Sequence, residues 1–307
     1  MQKVAIIGAG NVGGLACAFL IAQGIADILL LDVAKGFAKG KALDLEDCAS
    51  LLHKDCSLRG SDDFSLLKDC QIIVITAGLA RKPGMTRDDL LRKNSEIVKD
   101  ICLKIKEYAR EAVVVVVTNP VDVMTSLAAQ ITGFSKQKVF GMGVSLDSAR
   151  FANLIHQVLN VPVTNVESVV IGSHGQTMVP VPALTKVSAK PLTQLLKNEA
   201  IAKLTHATVE RGAAIVSHLG SGSAYFAPGA AIADIVKAII NDEKRTIGVC
   251  AYLNGEYGVK DLYLGAPAII GKAGVLGIVE LELTKEEKEA FLKSADSLTQ
   301  QIKNNYV

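Results

Sequence analysis

Short, unbroken apolar runs alternate with helical patterns through the first half of the chain. Four or five apolar residues follow one another at Val4–Ile7, Ile28–Leu31, Ile72–Ile75 and Val113–Val117, and more weakly at Val139–Phe140. Parallel strands that are covered on both faces have this pattern. One helix face is marked by Ile97, Ile101, Ile105 and Tyr108. The alternation predicts an α/β fold with a doubly wound parallel sheet and right-handed crossovers.

The second half groups strands and helices separately. The pattern predicts a strand at Val166–Ile171, a helix over Thr193–Val216, a helix after Pro228, and strands Ile247–Leu253 and Leu262–Ile270 that meet at Asn254-Gly255. Thr284 and Glu287 have the spacing of a capping box and predict the start of the last helix. Its buried stripe would be Phe291, Ala295, Leu298 and Ile302. We therefore predict a C-terminal α+β domain.

The change of pattern near Gly141–Ser145 predicts two domains, residues 1–143 and 144–307. The length of 307 residues agrees with this number. Apolar residues make up 50% of the chain and charged residues 21%, which excludes a disordered protein. The net charge of +2 argues against nucleic acid as the main partner. The six cysteines have no C-x-x-C spacing, so we predict reduced thiols in a cytoplasmic protein and no metal site.

The segment Val4–Ala26 imitates a membrane signal because its 23 residues carry no formal charge. Five glycines interrupt it, Asn11 lies near its middle, and the apolar pattern restarts at Ile28. A strand, a turn and a helix inside a globular core account for all three features. We therefore expect no membrane partner.

A glycine motif opens the first helical pattern. Gly8, Gly10 and Gly13 have G-x-G-x-x-G spacing, directly after the strand Val4–Ile7. Gly8 permits the tight turn, Gly10 the close approach of a pyrophosphate, and Gly13 the packing of helix on strand. The free amides and positive dipole of the helix N-terminus favour phosphates. The context predicts a dinucleotide site.

Asp32 closes the second predicted strand, 19 residues after Gly13. A carboxylate at this place accepts hydrogen bonds from the ribose hydroxyls and repels a 2′-phosphate, which favours NAD over NADP. The alternative is that Asp32 only caps its strand.

Three further segments carry candidate chemistry. Residues 76–87 follow the strand Ile72–Ile75 and contain Arg81, Lys82 and Arg87, in a loop that has the properties of a lid. Asp147 and Arg150 share a helix face. His174 ends a predicted strand between two glycines and is a candidate proton shuttle. Taken alone, residues 76–87 also fit a solvated basic loop, and Asp147 with Arg150 also fits a surface ion pair. His174 is one of five histidines in the chain, and spacing alone does not select it.

Together the segments GAGNVG, TAGLARKPGMTRDDL, VTNPVD, LDSAR and GSHG resemble the lactate/malate dehydrogenase superfamily. The resemblance spans essentially the whole chain and is strongest to the bacterial malate branch. It implies a Rossmann fold for the first domain and NAD-dependent hydride transfer to and from a small 2-hydroxy acid. It also implies a homodimer or a homotetramer and, for the malate branch, a reaction of the tricarboxylic acid cycle.

The resemblance also implies a role for each site residue. His174 resembles the proton acceptor, Asp147 the carboxylate that orients it, and Arg150 the clamp on the C1 carboxylate. Arg87 resembles the lid arginine that polarises the reacting carbonyl, and Asn119 the asparagine that contacts substrate and cofactor, with a cis bond to Pro120. The predicted cofactor contacts are Gly8, Gly10, Asn11, Val12, Gly13, Asp32, Asn94, Thr118 and Asn119.

Substrate choice in this resemblance depends on Arg81. Lactate-type enzymes have glutamine at this lid position, whereas an arginine pairs with the second carboxylate of malate or oxaloacetate. Ala224 stands where lactate-type enzymes tend to have threonine. The resemblance thus favours a dicarboxylate. L-lactate or another 2-hydroxy acid on the same scaffold is the closest alternative, and a catalytically silent NAD-binding protein is an alternative of another class.

Overall fold

The computed structural model describes residues 1–79 and 87–306, and only the backbone of Arg87 and of residues 304–306. Arg81, Lys82 and the side chain of Arg87 lie outside the described residues, and what the sequence predicts for them stays a prediction. Two short 3-10 helices, Val163–Asn165 and Glu256–Gly258, and a longer one, Phe64–Asp69, occur beside the main elements.

The described residues form helices and strands in the following order along the chain. The helices are α1 Asn11–Gln23, α2 Phe37–Leu51, α3 Arg87–Tyr108, α4 Val121–Thr132, α5 Val144–Leu159, α6 Leu192–Leu195, α7 Asn198–Leu219, α8 Phe226–Ile240 and α9 Lys285–Tyr306. The strands are β1 Gln2–Ile7, β2 Ala26–Leu31, β3 Leu58–Ser61, β4 Ile72–Ile75, β5 Val113–Val116, β6 Val139–Gly141, β7 Val166–Glu167, β8 Val170–Gly172, β9 Met178–Pro180, β10 Lys186–Val187, β11 Lys190–Pro191, β12 Arg245–Asn254, β13 Lys260–Gly271 and β14 Gly274–Ile278.

Six parallel strands form the first half of the main sheet in the order β3-β2-β1-β4-β5-β6. The chain reverses direction across the sheet between β1 and β4, and ligands of such sheets bind outside the strand ends at this point. The doubly wound fold and the five predicted strands are confirmed. The edge strand β3 was not predicted, because Leu58-Arg59-Gly60-Ser61 contains a single apolar residue.

The same sheet continues into the second half of the chain. The antiparallel strands β12, β13, β8 and β9 follow β6, and β6 meets β12 where Gly141 pairs with Cys250. A small separate sheet has the order β11-β10-β7. Helix α8 packs on α1, so closely that a Cβ on Gly229 would lie 2.9 Å from the Leu15 Cβ. The two halves therefore share a sheet and a core, and the division at residue 143 stays a proposal about sequence units.

Three predicted elements of the second half need correction. The single strand Val166–Ile171 is two strands in different sheets, because Ser168 and Val170 bond to Ser148 of α5. The helix Thr193–Val216 is broken, since Leu196 has extended backbone between α6 and α7. Helix α8 begins before Pro228, at Phe226, and Pro228 takes a first-turn position where no backbone donor is needed.

The capping box is confirmed. The Thr284 amide donates to Glu287 Oε2 at 2.9 Å, and the Glu287 amide donates to Thr284 Oγ1 at 3.2 Å. The uncharged segment of residues 4–26 forms most of β1, the glycine loop and α1, and its larger apolar side chains pack in the core. Over residues 1–79 and 87–306, no helix has the length and apolar character to cross a membrane. The six cysteines are free thiols.

Candidate active site

The glycine loop forms a cradle at the end of β1. Gly8 has φ +109°, and a Cβ there would lie 2.5 Å from the Ala77 nitrogen. A Cβ on Gly13 would lie 2.0 Å from the Gly8 carbonyl oxygen, which confirms the predicted packing of helix on strand. Gly10 precedes α1 and is exposed, and apart from its chain neighbours no atom of the described residues lies within 4 Å of a Cβ position. The space beside Gly10 is open to a ligand, while Gly8 and Gly13 hold the loop against the sheet.

Helix α1 begins at Asn11 and has no side-chain cap at Gly10. The first-turn amides of Asn11, Val12 and Gly13 therefore remain donors at the positive end of the helix dipole. This arrangement fits the pyrophosphate of a dinucleotide.

Asp32 stands beside the cradle at the end of β2. Its Oδ2 accepts from the Ala9 amide at 2.8 Å, and its Oδ1 accepts from the Ala34 amide at 3.0 Å. The residue is half-buried. Each carboxylate oxygen keeps a second lone pair that is suited to a ribose hydroxyl. Asp32 thus ties the glycine loop to β2 and also fits the predicted ribose contact.

The segments that follow β4 and β5 form a second wall. The buried Asn94 side chain accepts from the Leu79 amide at 2.8 Å and donates to the Asn119 carbonyl at 2.8 Å. The Thr118 hydroxyl donates to the Ala77 carbonyl at 2.7 Å. Asn94 and Thr118 therefore brace this wall from inside, and their contact with a cofactor stays a prediction.

Asn119 has an exposed side chain that makes no hydrogen bond to the described residues. Its peptide bond to Pro120 is cis, as predicted. The free carboxamide suits the predicted contact with substrate and cofactor, which stays a prediction.

Ion pairs between charged side chains connect the loop after β8 to helix α5. Asp147 is fully buried, and its Oδ2 lies 2.6 Å from His174 Nδ1, while its Oδ1 accepts from Arg150 Nη1 at 2.9 Å. The side chains of His174 and Arg150 are 14% and 12% exposed, so each reaches the surface of the cleft at one end. The structure brings His174 to Asp147 and Arg150, the pair that the sequence places on one helix face.

The environment of His174 raises its pKa above the ordinary value. Burial by itself lowers this pKa, but the Asp147 carboxylate more than offsets that effect, with a further contribution from Asp122, and Arg150 opposes it. Because Nδ1 faces Asp147, the neutral ring carries its proton there and presents Nε2 as the free base. This is the form that accepts a proton from an alcohol.

Asp122 is a site residue that the sequence analysis missed. It lies in the first turn of α4, is 2% exposed, and binds the Ser173 hydroxyl and the His174 amide. A signal for it existed, since Asp122 is the one charged residue in Val121–Thr132. A lone charge in an apolar helix is rarely buried without a partner.

Other predicted residues stand as follows. Helix α3 begins at Arg87, but the side chain of Arg87 and all of Arg81 lie outside the described residues. Over the part of the chain that the structure describes, no group of three His, Cys, Asp or Glu side chains is arranged to hold a metal ion.

Comparisons with known proteins place this geometry in a family. Residues 2–141 match the family model described as lactate/malate dehydrogenase, NAD binding domain, and residues 144–306 match lactate/malate dehydrogenase, alpha/beta C-terminal domain. A malate dehydrogenase of Methanosarcina barkeri is 42% identical over 302 residues, which cover 98% of each chain.

Two solved structures have nearly the same backbone. The malate dehydrogenase of Picrophilus torridus in its apo form has a TM-score of 0.95 at 40% identity, covering 99% of this chain and 97% of that one. The lactate dehydrogenase of Cryptosporidium parvum, complexed with lactic acid and nicotinamide adenine dinucleotide, has a TM-score of 0.96 at 33% identity and covers 99% and 98%. The chain belongs to the lactate/malate dehydrogenase family.

Proposed function

We propose that the protein is an NAD-dependent malate dehydrogenase, which converts (S)-malate and NAD⁺ to oxaloacetate, NADH and a proton. One observation carries the proposal: His174, Asp147 and Arg150 form an ion-paired cluster in a fold whose glycine cradle fits a dinucleotide. A silent NAD-binding protein has no need for an imidazole and a guanidinium that are both held by one buried carboxylate and reach the surface of the cleft.

Each residue has a definite task in this reaction. His174 Nε2 accepts the proton of the C2 hydroxyl, and Asp147 stabilises the imidazolium that forms. Arg150, held by Asp147, binds the C1 carboxylate with two parallel hydrogen bonds. Bound NAD would supply the hydride acceptor for C2. Arg87 stabilises charge on the C2 oxygen, and Asn119 orients the same oxygen.

The choice of a dicarboxylate depends on Arg81. Three cations, Arg81, Arg87 and Arg150, would face the substrate, and a second carboxylate balances this charge better than the methyl group of pyruvate does. Relatives that are named malate dehydrogenase support this choice. The lactate dehydrogenases among the similar structures favour L-lactate or another 2-hydroxy acid as the second candidate.

An absorbance assay of NADH with a panel of 2-oxo acids tests the proposal. Oxaloacetate should be reduced with a much higher kcat/KM than pyruvate. Arg81→Gln should lower kcat/KM for oxaloacetate by about 100-fold or more, because removing one partner of a desolvated ion pair costs about 3–5 kcal/mol. Lys82→Gln in the same loop is the matched control. Equal losses for both substrates in Arg81→Gln would contradict the role of Arg81.

The remaining assignments complete the proposal. A homodimer or homotetramer is part of the proposal, and its interface would cover exposed apolar side chains such as Leu43 and Leu51 on α2. A cytoplasmic location is supported by the six free thiols. Light scattering of the purified protein measures the oligomeric state, and cell fractionation measures the location.

A further inference from the structure

Helix α4 carries a buried carboxylate that the proposed reaction does not use directly. Asp122 follows the Asn119–Pro120 bond by two residues and is the one charge in a helix of apolar and small polar side chains. An unpaired carboxylate in such a place is unfavourable, so its partners explain why the fold keeps it.

Those partners belong to the loop that carries His174. Asp122 Oδ2 accepts from the His174 amide at 2.8 Å and from the Ser173 hydroxyl at 2.8 Å. The Ser173 amide in turn donates to Ser294 Oγ of α9 at 2.9 Å. The backbone at Ser173 and His174 is therefore held from α9 and α4, while Asp147 holds the ring itself.

We propose that Asp122 is a positioning residue, which fixes the His174 backbone to the helix that begins beside Asn119. The consequence is a fixed geometry between the imidazole that moves the proton and the carboxamide that orients the same substrate oxygen. This inference rests on the proposed function, since it assigns to Asp122 the alignment of two groups of that reaction.

The charges around both groups set the expected pH behaviour. His174 faces Asp147 and Arg150 of α5 and Asp122 of α4, and the two carboxylates raise its pKa while Arg150 lowers it. Asp122 faces the Cys250 thiol of β12 together with Ser173 and His174. Burial raises the pKa of Asp122, and these three groups act against burial by stabilising the carboxylate.

The substitution Asp122→Asn keeps the shape of the side chain and removes its charge. Malate oxidation requires neutral His174, so kcat/KM rises with pH through the pKa of this residue. Loss of the neighbouring negative charge lowers that pKa, and the acid limb should move to lower pH. We also expect kcat to fall several-fold, because hydrogen bonds to a neutral amide oxygen hold the loop less firmly than those to a carboxylate, with the KM for NAD unchanged.

Thr125→Val is the matched control. Thr125 is equally buried one turn along α4, and its hydroxyl donates to the Val121 carbonyl of the same helix at 2.7 Å. Thr125 also bonds the Cys250 thiol, but among the described residues it makes no hydrogen bond to Ser173 or His174. A general loosening of α4 would change kcat in both variants and leave the pH midpoint of both unchanged. That result, or a wild-type profile in Asp122→Asn, would overturn the proposal.

A second variant covers the case in which Asp122→Asn does not fold. Ser173→Ala keeps the carboxylate and removes one of its two contacts with the loop, so kcat should fall several-fold at an unchanged KM for NAD. Wild-type kcat in Ser173→Ala would then refute the positioning role.

A titration of His174 by NMR separates this inference from the proposed function. The imidazole signal of histidine-labelled protein, assigned through His174→Asn, reports its pKa without turnover. A lower pKa in Asp122→Asn than in wild type is expected even if malate is not the substrate. Absence of malate oxidation by the wild-type protein would refute the function alone, and equal pKa values would refute the role of Asp122 alone.

Discussion

The cofactor cradle and the catalytic cluster are built in opposite ways. The cradle uses backbone atoms of a continuous segment, Gly8–Gly13. Its glycines have no side chain, which allows the close packing at Gly8 and Gly13 and leaves the space beside Gly10 open. The cluster uses charged side chains from distant parts of the chain, and its members Asp122 and His174 are 52 residues apart. The first needs close packing, and the second needs paired charges in a dry environment.

This difference separates two kinds of failure. A change in the cluster should abolish chemistry and leave the cofactor bound, because the charged side chains do not support the glycine loop. A change in the cradle should weaken the cofactor or the fold and leave the chemistry of the remaining bound enzyme intact. Substitutions in each region, with a control beside each, test this separation.

His174→Asn should give the largest loss. Asn is polar and small enough for the site, but it cannot accept the proton, so kcat should fall about 10²–10⁴-fold. NADH binding, measured by fluorescence titration, should remain nearly unchanged.

His53→Asn is the control for this substitution. His53 is exposed with φ +53°, a conformation that asparagine adopts readily, and activity should be unchanged. A His174→Asn enzyme that kept one tenth of the wild-type rate would remove His174 from proton transfer.

The same contrast explains what the sequence could predict. The roles of Gly8 and Gly13 follow from spacing within six residues after a strand, and the structure confirms both geometries. The pairing of His174 with Asp147 could not be obtained from spacing, since five histidines were available. Family resemblance supplied that pair, and the 2.6 Å contact now supports it.

Local pattern also failed where tertiary contacts decide the backbone. The sequence of Val166–Ile171 gives no indication that Ser168 and Val170 donate hydrogen bonds to Ser148 of helix α5. Asp122 was missed for the same reason, because its partners lie on a loop that only the folded chain brings near. Apolar periodicity predicts which elements form, but the partner of a buried polar group depends on the whole topology.

Asp32 offers a test on the cradle side. The wild-type enzyme should use NADH with a kcat/KM about 100-fold above that for NADPH, since a 2′-phosphate would meet the carboxylate and lose its hydrogen bonds. Asp32→Asn should narrow this ratio by weakening the use of NADH. Initial rates with both cofactors at saturating oxaloacetate measure it.

Asp27→Asn is the matched control on the same strand. Asp27 lies at the opposite end of β2, where it accepts from the Ser57 amide and pairs with the N-terminus. The cofactor ratio should not change in this variant. Equal use of NADH and NADPH by the wild type would refute the role of Asp32.

The smallest expected effect is a difference in stability between alanine substitutions at two adjacent glycines of α1, Gly13 and Gly14. A Cβ on Gly13 would lie 2.0 Å from the backbone oxygen of Gly8, so Gly13→Ala should destabilise the protein by about 1–3 kcal/mol. A Cβ on Gly14 would meet only the flexible end of Lys41 at 3.5 Å, and Gly14→Ala should stabilise α1 by about 0.5–1 kcal/mol. Thermal unfolding of the two variants should therefore shift in opposite directions. Stabilisation of both variants would show that the contact with Gly8 does not determine the residue at position 13.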